Sequence, residues 1–271
     1  MFYLATIFWD PDPVAFHLPF LHFHVFWYSL FFATGYLSAY LTLSHFLSRN
    51  YPEQSTKKFL DYSAWYIFVG MIVGARLGHV FFYDWPHYAA NPSKIFYTWE
   101  GGLASHGGAF GILVALALFW YRHKNEIPGL RFRQLLDMLT IGVAACAGFI
   151  RIGNFFNQEI LGTASNLPWA VHFGHPADFN AVQPCHPVQL YEALFYFATF
   201  FALYNLYPRY KEKAGHISGL FFIAIFGFRF FIEWLKLPQA ISDTGSEFYM
   251  GQLLSIPFIL LGIYLLFKKS R

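Results

Sequence analysis

The sequence predicts an all-α integral membrane protein with about seven transmembrane helices, an outward N-terminus, a cytoplasmic C-terminus and a small cap on the outer side. Three observations carry that expectation. Of 271 residues, 56% are hydrophobic and 23% aromatic but only 12% charged, about half the roughly 25% charged share of soluble domains. Seven apolar stretches approach the ~17 to 25 residues that cross a bilayer as a helix. The basic residues gather in alternate connections, as the positive-inside rule requires.

In chain order, the apolar stretches are residues 24–46, 62–83, 103–121, 135–150, 188–207, 217–234 and 250–267. The fourth is short unless its helix continues through Arg151, which would draw the following polar run into the membrane. Of the 18 Lys and Arg, thirteen fall on one side: Arg49, Lys57, Lys58, Arg122, Lys124, Arg131, Arg133, Arg209, Lys211, Lys213, Lys268, Lys269 and Arg271. That side is assigned to the cytoplasm. Lys94 and Lys236 fall in connections on the other side, while Arg76, Arg151 and Arg229 lie within spans or at their ends. The chain reads as one polytopic domain, 1–271. Residues 84–102 form an outward arm, and residues 163–187, with turn-formers such as Asn166, Pro168, Gly174 and Pro176, form the cap.

The composition also excludes classes. A net charge of +3 with no basic run interleaved with aromatics gives no basis for nucleic-acid binding. Two cysteines in unlike settings, Cys146 among small apolar residues and Cys185 in a polar loop, make no disulfide framework. Residues 1–8 lack the basic start of a secretory signal, so the first apolar segment is expected to stay as a span. No His/Cys/carboxylate set shows metal-ligand spacing, and no cofactor is implied.

Charged groups inside such a chain need a reason, because an ionisable residue in a membrane span is costly unless paired or bound to a polar ligand. Arg151 and Asn154 are three apart and share a helix face, and Glu159 falls in the same half if the helix continues. Together they suit an anion, with the Arg fork on phosphate oxygens; the plain alternative is an intramembrane Arg–Glu pair. Arg229 and Glu233, four apart, read either as an internal salt bridge or as a second arginine converging on the same phosphate. Gly70, Gly74 and Gly78 repeat a small residue every fourth position, which favours close helix packing. Arg76, between two of them, contacts either a ligand phosphate or a carboxylate. In WEGGLASHGG (residues 99–108) glycine pairs flank His106, which reads as a tight irregular turn presenting an imidazole; irregular backbone at membrane depth is tolerated where it lines a cavity. HPVQLYE (residues 186–192) is readable as an interfacial helix start, Cys146 as packing, and Cys185 as a poor nucleophile.

Taken together, GARLGHVFFY (residues 74–83), GGLASHGG (101–108), RIGNFFNQEILG (151–162), HPVQLYE, FRFFIEW (228–234) and MGQLLS (250–255) resemble, in order, the prolipoprotein diacylglyceryl transferases of the bacterial inner membrane, and FWYSLFF (26–32) resembles that family's first-helix motif. Two positions depart: Ile150 stands where the family pattern has Gly, and Ile225 where a Tyr is expected. Neither removes a charged group.

The resemblance implies a multi-pass membrane transferase of lipoprotein biosynthesis. It would move the sn-1,2-diacylglyceryl group of phosphatidylglycerol to the lipobox cysteine thiol of a preprolipoprotein signal peptide, forming a thioether and releasing glycerol phosphate. The nucleophile then belongs to the substrate, and the outer side is periplasmic. Arg151 and Arg229 are expected to bind the phosphate and stabilise charge as the C–O bond breaks. His106 either takes the thiol proton or holds the turn or headgroup, with the leaving phosphate accepting the proton. Asn154 and Glu159 would position the headgroup and Glu233 would brace Arg229, with Tyr28 and Arg76 at the cavity wall and Gly107 at the headgroup. The rival class is a transporter or lipid-binding protein holding an anion without chemistry. The lack of an internal repeat and the outward position of the polar cluster weigh against it. The His residues within the spans form no axial pair for a haem or quinone protein.

Overall fold

The computed structural model describes residues 7–18, 23–82, 84–98, 101–102, 104–177, 183–238 and 249–268. Seven long helices overlie the seven apolar stretches: α1 (Trp27–Asn50), α2 (Glu53–Phe82), α4 (Ser105–His123), α5 (Phe132–Phe156), α6 (Val188–Tyr210), α7 (His216–Ile232) and α8 (Met250–Phe267). A short helix, α3 (Trp85–Ala90), stands between α2 and α4. Among the described residues, four helical segments are long and apolar enough to cross a membrane: Trp27–Asn50, Ser55–Phe82, Phe132–Phe156 and His216–Leu235. This is a multi-pass, all-α membrane protein. Strands are few: β1 (Ile7–Trp9), β2 (Val14–Leu18), β3 (Phe23–Phe26) and β4 (Val171–Phe173).

The chain divides into two compact units, residues 1–43 with 133–271, and residues 44–132. In the first, α5 is the central element, with Leu135, Met138, Ile141, Ala144 and Ala145 all buried. Its small residues set the spacing. A Cβ on Gly142 would lie 2.7 Å from the Ala39 backbone, and one on Gly153 would lie 2.9 Å from the Tyr28 ring. Such backbone approach supplies the packing that lipid-immersed helices depend on. On α6 and α7, Phe195 and Phe228 stack with centroids 4.0 Å apart; on α7 and α8, Phe226 and Phe258 stack at 4.3 Å.

The helix start of α7 is tied to α5 by a carboxylate. Asp137 accepts the N–H of Gly215 at 2.6 Å and both the N–H and the hydroxyl of Ser218 at 2.7 Å. Helix N-termini leave N–H groups without intrahelical partners, and here a neighbouring helix supplies the acceptor.

Outside the helices, β1 pairs in parallel with β4, Ile7 opposite Val171 and Trp9 opposite Phe173. An apolar cluster of Phe155, Leu161, Val171, Phe173 and Cys185 lies beneath, with Trp9 and Leu237 against it. The segment expected as a cap thus contains a strand and packs on the end of α5; its residues 178–182 lie outside the described part. β2 and β3 form an antiparallel hairpin.

In the second unit, α2 and α4 cross at the glycine stripe. A Cβ on Gly74 would overlap the carbonyl oxygen of Gly107 and come within 2.6 Å of Gly111. The small-residue spacing is therefore a packing device, as expected. Gly107, assigned from the sequence to the headgroup site, spends its missing side chain here, on contact with Gly74 and Gly78.

Candidate functional site

The site in the first unit begins with the length of α5. Nothing breaks the helix before Phe156, so Arg151 and Asn154 are helical and face the same side. Glu159 is not on that face. The helix ends, and the chain reverses through Gln158 and Ile160 at φ +52° and +58°, a region costing about 1 to 3 kcal/mol for residues other than glycine. That turn carries Glu159 back onto Asn154. The turn is held by Gln158, which is buried: its Nε2 donates to Asp10 at 3.2 Å, and its Oε1 accepts the His175 N–H at 2.8 Å.

From Glu159 a polar relay runs through the interior. Asn154 Nδ2 donates to Glu159 Oε1 at 2.8 Å, and Arg151 Nη1 donates to Asn154 Oδ1 at 3.1 Å. Arg151 Nε lies 3.1 Å from Glu192 Oε2, an ion pair off the line of a hydrogen bond. Glu192 Oε1 accepts from Lys236 Nζ at 3.1 Å and from the Tyr196 hydroxyl at 3.0 Å. Lys236 Nζ donates also to Glu233 Oε2 at 3.0 Å. Glu192 is fully buried and Lys236 is 2% exposed. Buried charges persist only when paired and hydrogen-bonded, and Arg151, Glu192, Lys236 and Glu233 each have both an ion-pair and a hydrogen-bond partner.

Arg229 stands beside the relay, within electrostatic reach of Glu192, Tyr196 and Lys236. It is half-buried. Among the described residues it makes no ion pair. Glu233, expected to brace it, pairs with Lys236 instead, because the chain turns into a 3-10 segment (Glu233–Leu235) that brings the two within one turn. Tyr28 packs on Gly153 and lies within electrostatic reach of Glu159 and Arg151. Six of the expected residues, Tyr28, Arg151, Asn154, Glu159, Arg229 and Glu233, therefore belong to this unit.

Arg76, His106 and Gly107 belong to the other. Arg76 meets no carboxylate among the described residues; it is engaged by backbone carbonyls. Its Nε donates to the carbonyl of Ile95, Nη1 to those of Gly101 and Gly102, and Nη2 to those of Lys94 and Tyr97, at 2.5 to 3.1 Å. All five guanidinium N–H groups are used, and the Tyr88 ring lies under the cation at 4.9 Å. The reason is local: the 3-10 turn Pro92–Phe96 and the positive φ of Gly101 and Gly102 leave carbonyls without helical partners. Arg76 gathers them and shapes the arm. The irregular turn ends sooner than the glycine pairs suggest, since His106 already lies in the first turn of α4. Its side chain, like residues 99–100 of the same motif, lies outside the described part.

Sequence reasoning missed Glu192, Tyr196 and Lys236. A signal existed for each. Glu192 and Tyr196 are four apart on one helix, and Lys236 is a lone lysine on the side that the positive-inside rule leaves poor in charge. Cys185 is no nucleophile: burial pushes its thiol up to about 11, and its Sγ faces the Val171 carbonyl at 3.7 Å.

The sequence is similar to that of known proteins. Residues 13–268 match the family described as prolipoprotein diacylglyceryl transferase. Relatives carrying the name phosphatidylglycerol–prolipoprotein diacylglyceryl transferase include one from Tolumonas auensis, 41% identical over 267 residues and 98% of both chains, and one from Porphyromonas gingivalis, 42% identical over 98% of this chain and 96% of the relative. One from Protochlamydia amoebophila is 49% identical over 78% of this chain, and the match spans 57% of that longer relative. The chain described here belongs to the prolipoprotein diacylglyceryl transferase family.

Proposed function

We propose that this protein transfers the diacylglyceryl group of phosphatidylglycerol to the thiol of a lipobox cysteine in a preprolipoprotein, as the first step of lipoprotein maturation in the bacterial inner membrane. The observation that carries the reading is the relay from Glu159 to Glu233, which holds Arg151 between two partners while Arg229 beside it has, among the described residues, no carboxylate of its own. An anionic phosphodiester supplies the missing partner. The outward N-terminus and periplasmic placement of the site follow from the distribution of Lys and Arg.

In the reaction, the substrate's cysteine sulfur forms a bond to the terminal glyceryl carbon, and the bond from that carbon to the phosphate oxygen breaks. The electron pair goes to the phosphate, which leaves as glycerol phosphate. Arg151 and Arg229 act on the charge that grows there, a preorganised electrostatic role that needs no reorganisation at the moment of reaction. Asn154 and Glu159 position the headgroup, since they fix Arg151 from one side while Glu192 fixes it from the other. A thiol with a pKa near 8.5 must lose its proton to attack, and His106 is assigned that proton on its motif and its pKa range. Tyr28 forms part of the site wall.

The test is incubation of purified protein with phosphatidylglycerol and a lipobox peptide, with mass spectrometry of the peptide. Wild type yields the thioether adduct; Arg151→Ala and Arg229→Ala yield little. Retention of phosphatidylglycerol without any adduct would instead support a lipid-binding protein. Near-normal turnover by His106→Gln across pH 6 to 9 would remove His106 as the proton acceptor.

A further inference from the structure

Three cations, Arg151, Lys236 and, beside them, Arg229, lie near two carboxylates, Glu192 and Glu233, of the relay. Their allocation is uneven. Lys236 contacts both carboxylates, at 3.1 and 3.0 Å, and Arg151 shares Glu192. Arg229 receives neither, although Glu233 follows it by four residues along the same stretch of chain, a spacing that ordinarily brings two side chains together. Two contacts keep Glu233 away. Its Oε2 is held by Lys236, and its Oε1 packs so tightly on Gly251 at the start of α8 that a Cβ there would overlap it. Glu159 does not enter this allocation, because among the described residues its carboxylate accepts amide N–H groups, from Asn154 and Asn157.

We propose that Lys236 is a specificity-determining positioning residue: by sequestering Glu233 it leaves the Arg229 guanidinium open, and so gives the site its preference for an anionic phosphodiester lipid over a zwitterionic one. The inference rests on the phosphate role of Arg229 proposed above. Without the lysine, Glu233, four residues on from Arg229, is free to neutralise it, and an internal salt bridge then competes with the lipid phosphate. Lys236 does not touch the lipid in this scheme. It acts through Glu233, so removing both members of the pair should undo the effect of removing the lysine alone.

The experiment uses the full chain in lipid nanodiscs, with wild type, Lys236→Met, Lys236→Arg and the double variant Lys236→Met/Glu233→Gln. Two quantities are read: kcat and KM for phosphatidylglycerol with a lipobox peptide, and, by native mass spectrometry, the ratio of phosphatidylglycerol to phosphatidylcholine retained from an equimolar mixture. Lys236→Met is expected to raise KM about tenfold or more with a smaller change in kcat, the pattern of lost binding common to ground and transition states, and to bring the retention ratio towards one. Lys236→Arg recovers most of the preference, and the double variant recovers it without the lysine. A folded Lys236→Met with unchanged KM and retention ratio overturns the proposal. So does a folded double variant that retains no preference for phosphatidylglycerol, because the lysine charge itself would then be what the lipid feels. Thermal melts run alongside; should Lys236→Met not fold, the double variant alone decides. If wild type retains phosphatidylglycerol but transfers nothing, the transferase reading falls while the retention comparison still judges Lys236.

Discussion

Replacing Asp137 with alanine should loosen the helix that carries Arg229. Asp137 is 1% exposed and makes three short bonds, to Gly215 N–H at 2.6 Å and to Ser218 N–H and Oγ–H at 2.7 Å. Hydrogen bonds to a charged group contribute about 1.5 to 3 kcal/mol each, and bonds sharing one acceptor group do not add fully. Two buried N–H donors and a hydroxyl also lose their partner without gaining water. The expected loss for Asp137→Ala is therefore about 3 to 5 kcal/mol, the magnitude known for removing one member of a buried charged network. At about 2 to 4 °C per kcal/mol for chains of this size, the melting temperature in detergent should fall by roughly 6 to 20 °C, read by tryptophan fluorescence. Asp137→Asn keeps an acceptor of the same shape and should lose about half as much. A Ser218→Ala cycle should return a coupling of about 1 kcal/mol. An alanine variant melting within about 2 °C of wild type would refute the reasoning and show that α7 is placed by its aromatic contacts alone.

Other consequences can be checked more briefly. Gly74→Ala should destabilise by about 1 to 3 kcal/mol through overpacking, since its Cβ meets the backbone of Gly107 and Gly111, whereas Gly227→Ala on α7, with nothing within 4 Å, should be neutral or stabilising by up to about 1 kcal/mol; paired thermal melts decide. Cys185 should resist alkylation: a thiol pushed from 9 to about 11 carries roughly a hundredfold less thiolate at pH 8, and maleimide labelling in the folded state at the rate of a free thiol would contradict this. The hydrogen bond from His175, and then that from Gln158, holds the Asp10 carboxyl below its usual range. A depressed carboxylate contributes stability above its unfolded pKa near 3.9 and loses it as pH falls through the lower folded value. The carboxylate's own contribution is therefore intact at pH 7, and hydrogen exchange at the β1–β4 pairing should rise in Asp10→Asn at that pH. Equal protection in that variant would mean the strand pairing does not depend on the carboxylate.

How far the site could be read from the chain depends on the range of each interaction. Arg151 and Asn154 were visible because a helix places residues three apart on one face, and that rule needs no knowledge of the fold. Glu159 was placed correctly in company and wrongly in geometry: it reaches Asn154 by a reversal at two residues of positive φ, which no periodicity announces. The carbonyls around Arg76 were missed for a related reason. Its sequence neighbourhood shows a cation among glycines, while the carbonyls that use it lie 18 to 26 residues away. Glu233 was assigned to Arg229 by the i, i+4 rule, and the rule lost to Lys236 once the helix tightened into a 3-10 turn.

The sequence by itself determined the class of the protein, its seven apolar helices, the packing role of its glycine stripe and its family. Those properties follow from composition, from the 3.6-residue period and from the cost of charge in lipid, all of which act locally or on average. Only the tertiary structure decided how the charges are shared: Glu192 and Lys236, 44 residues apart, meet in the interior, Asp137 caps a helix 81 residues on, and Arg229 is left without a carboxylate among the described residues. The reason is physical. In a medium with little water each buried charge must find a partner, and which partner it finds depends on distances that only the packed helices define.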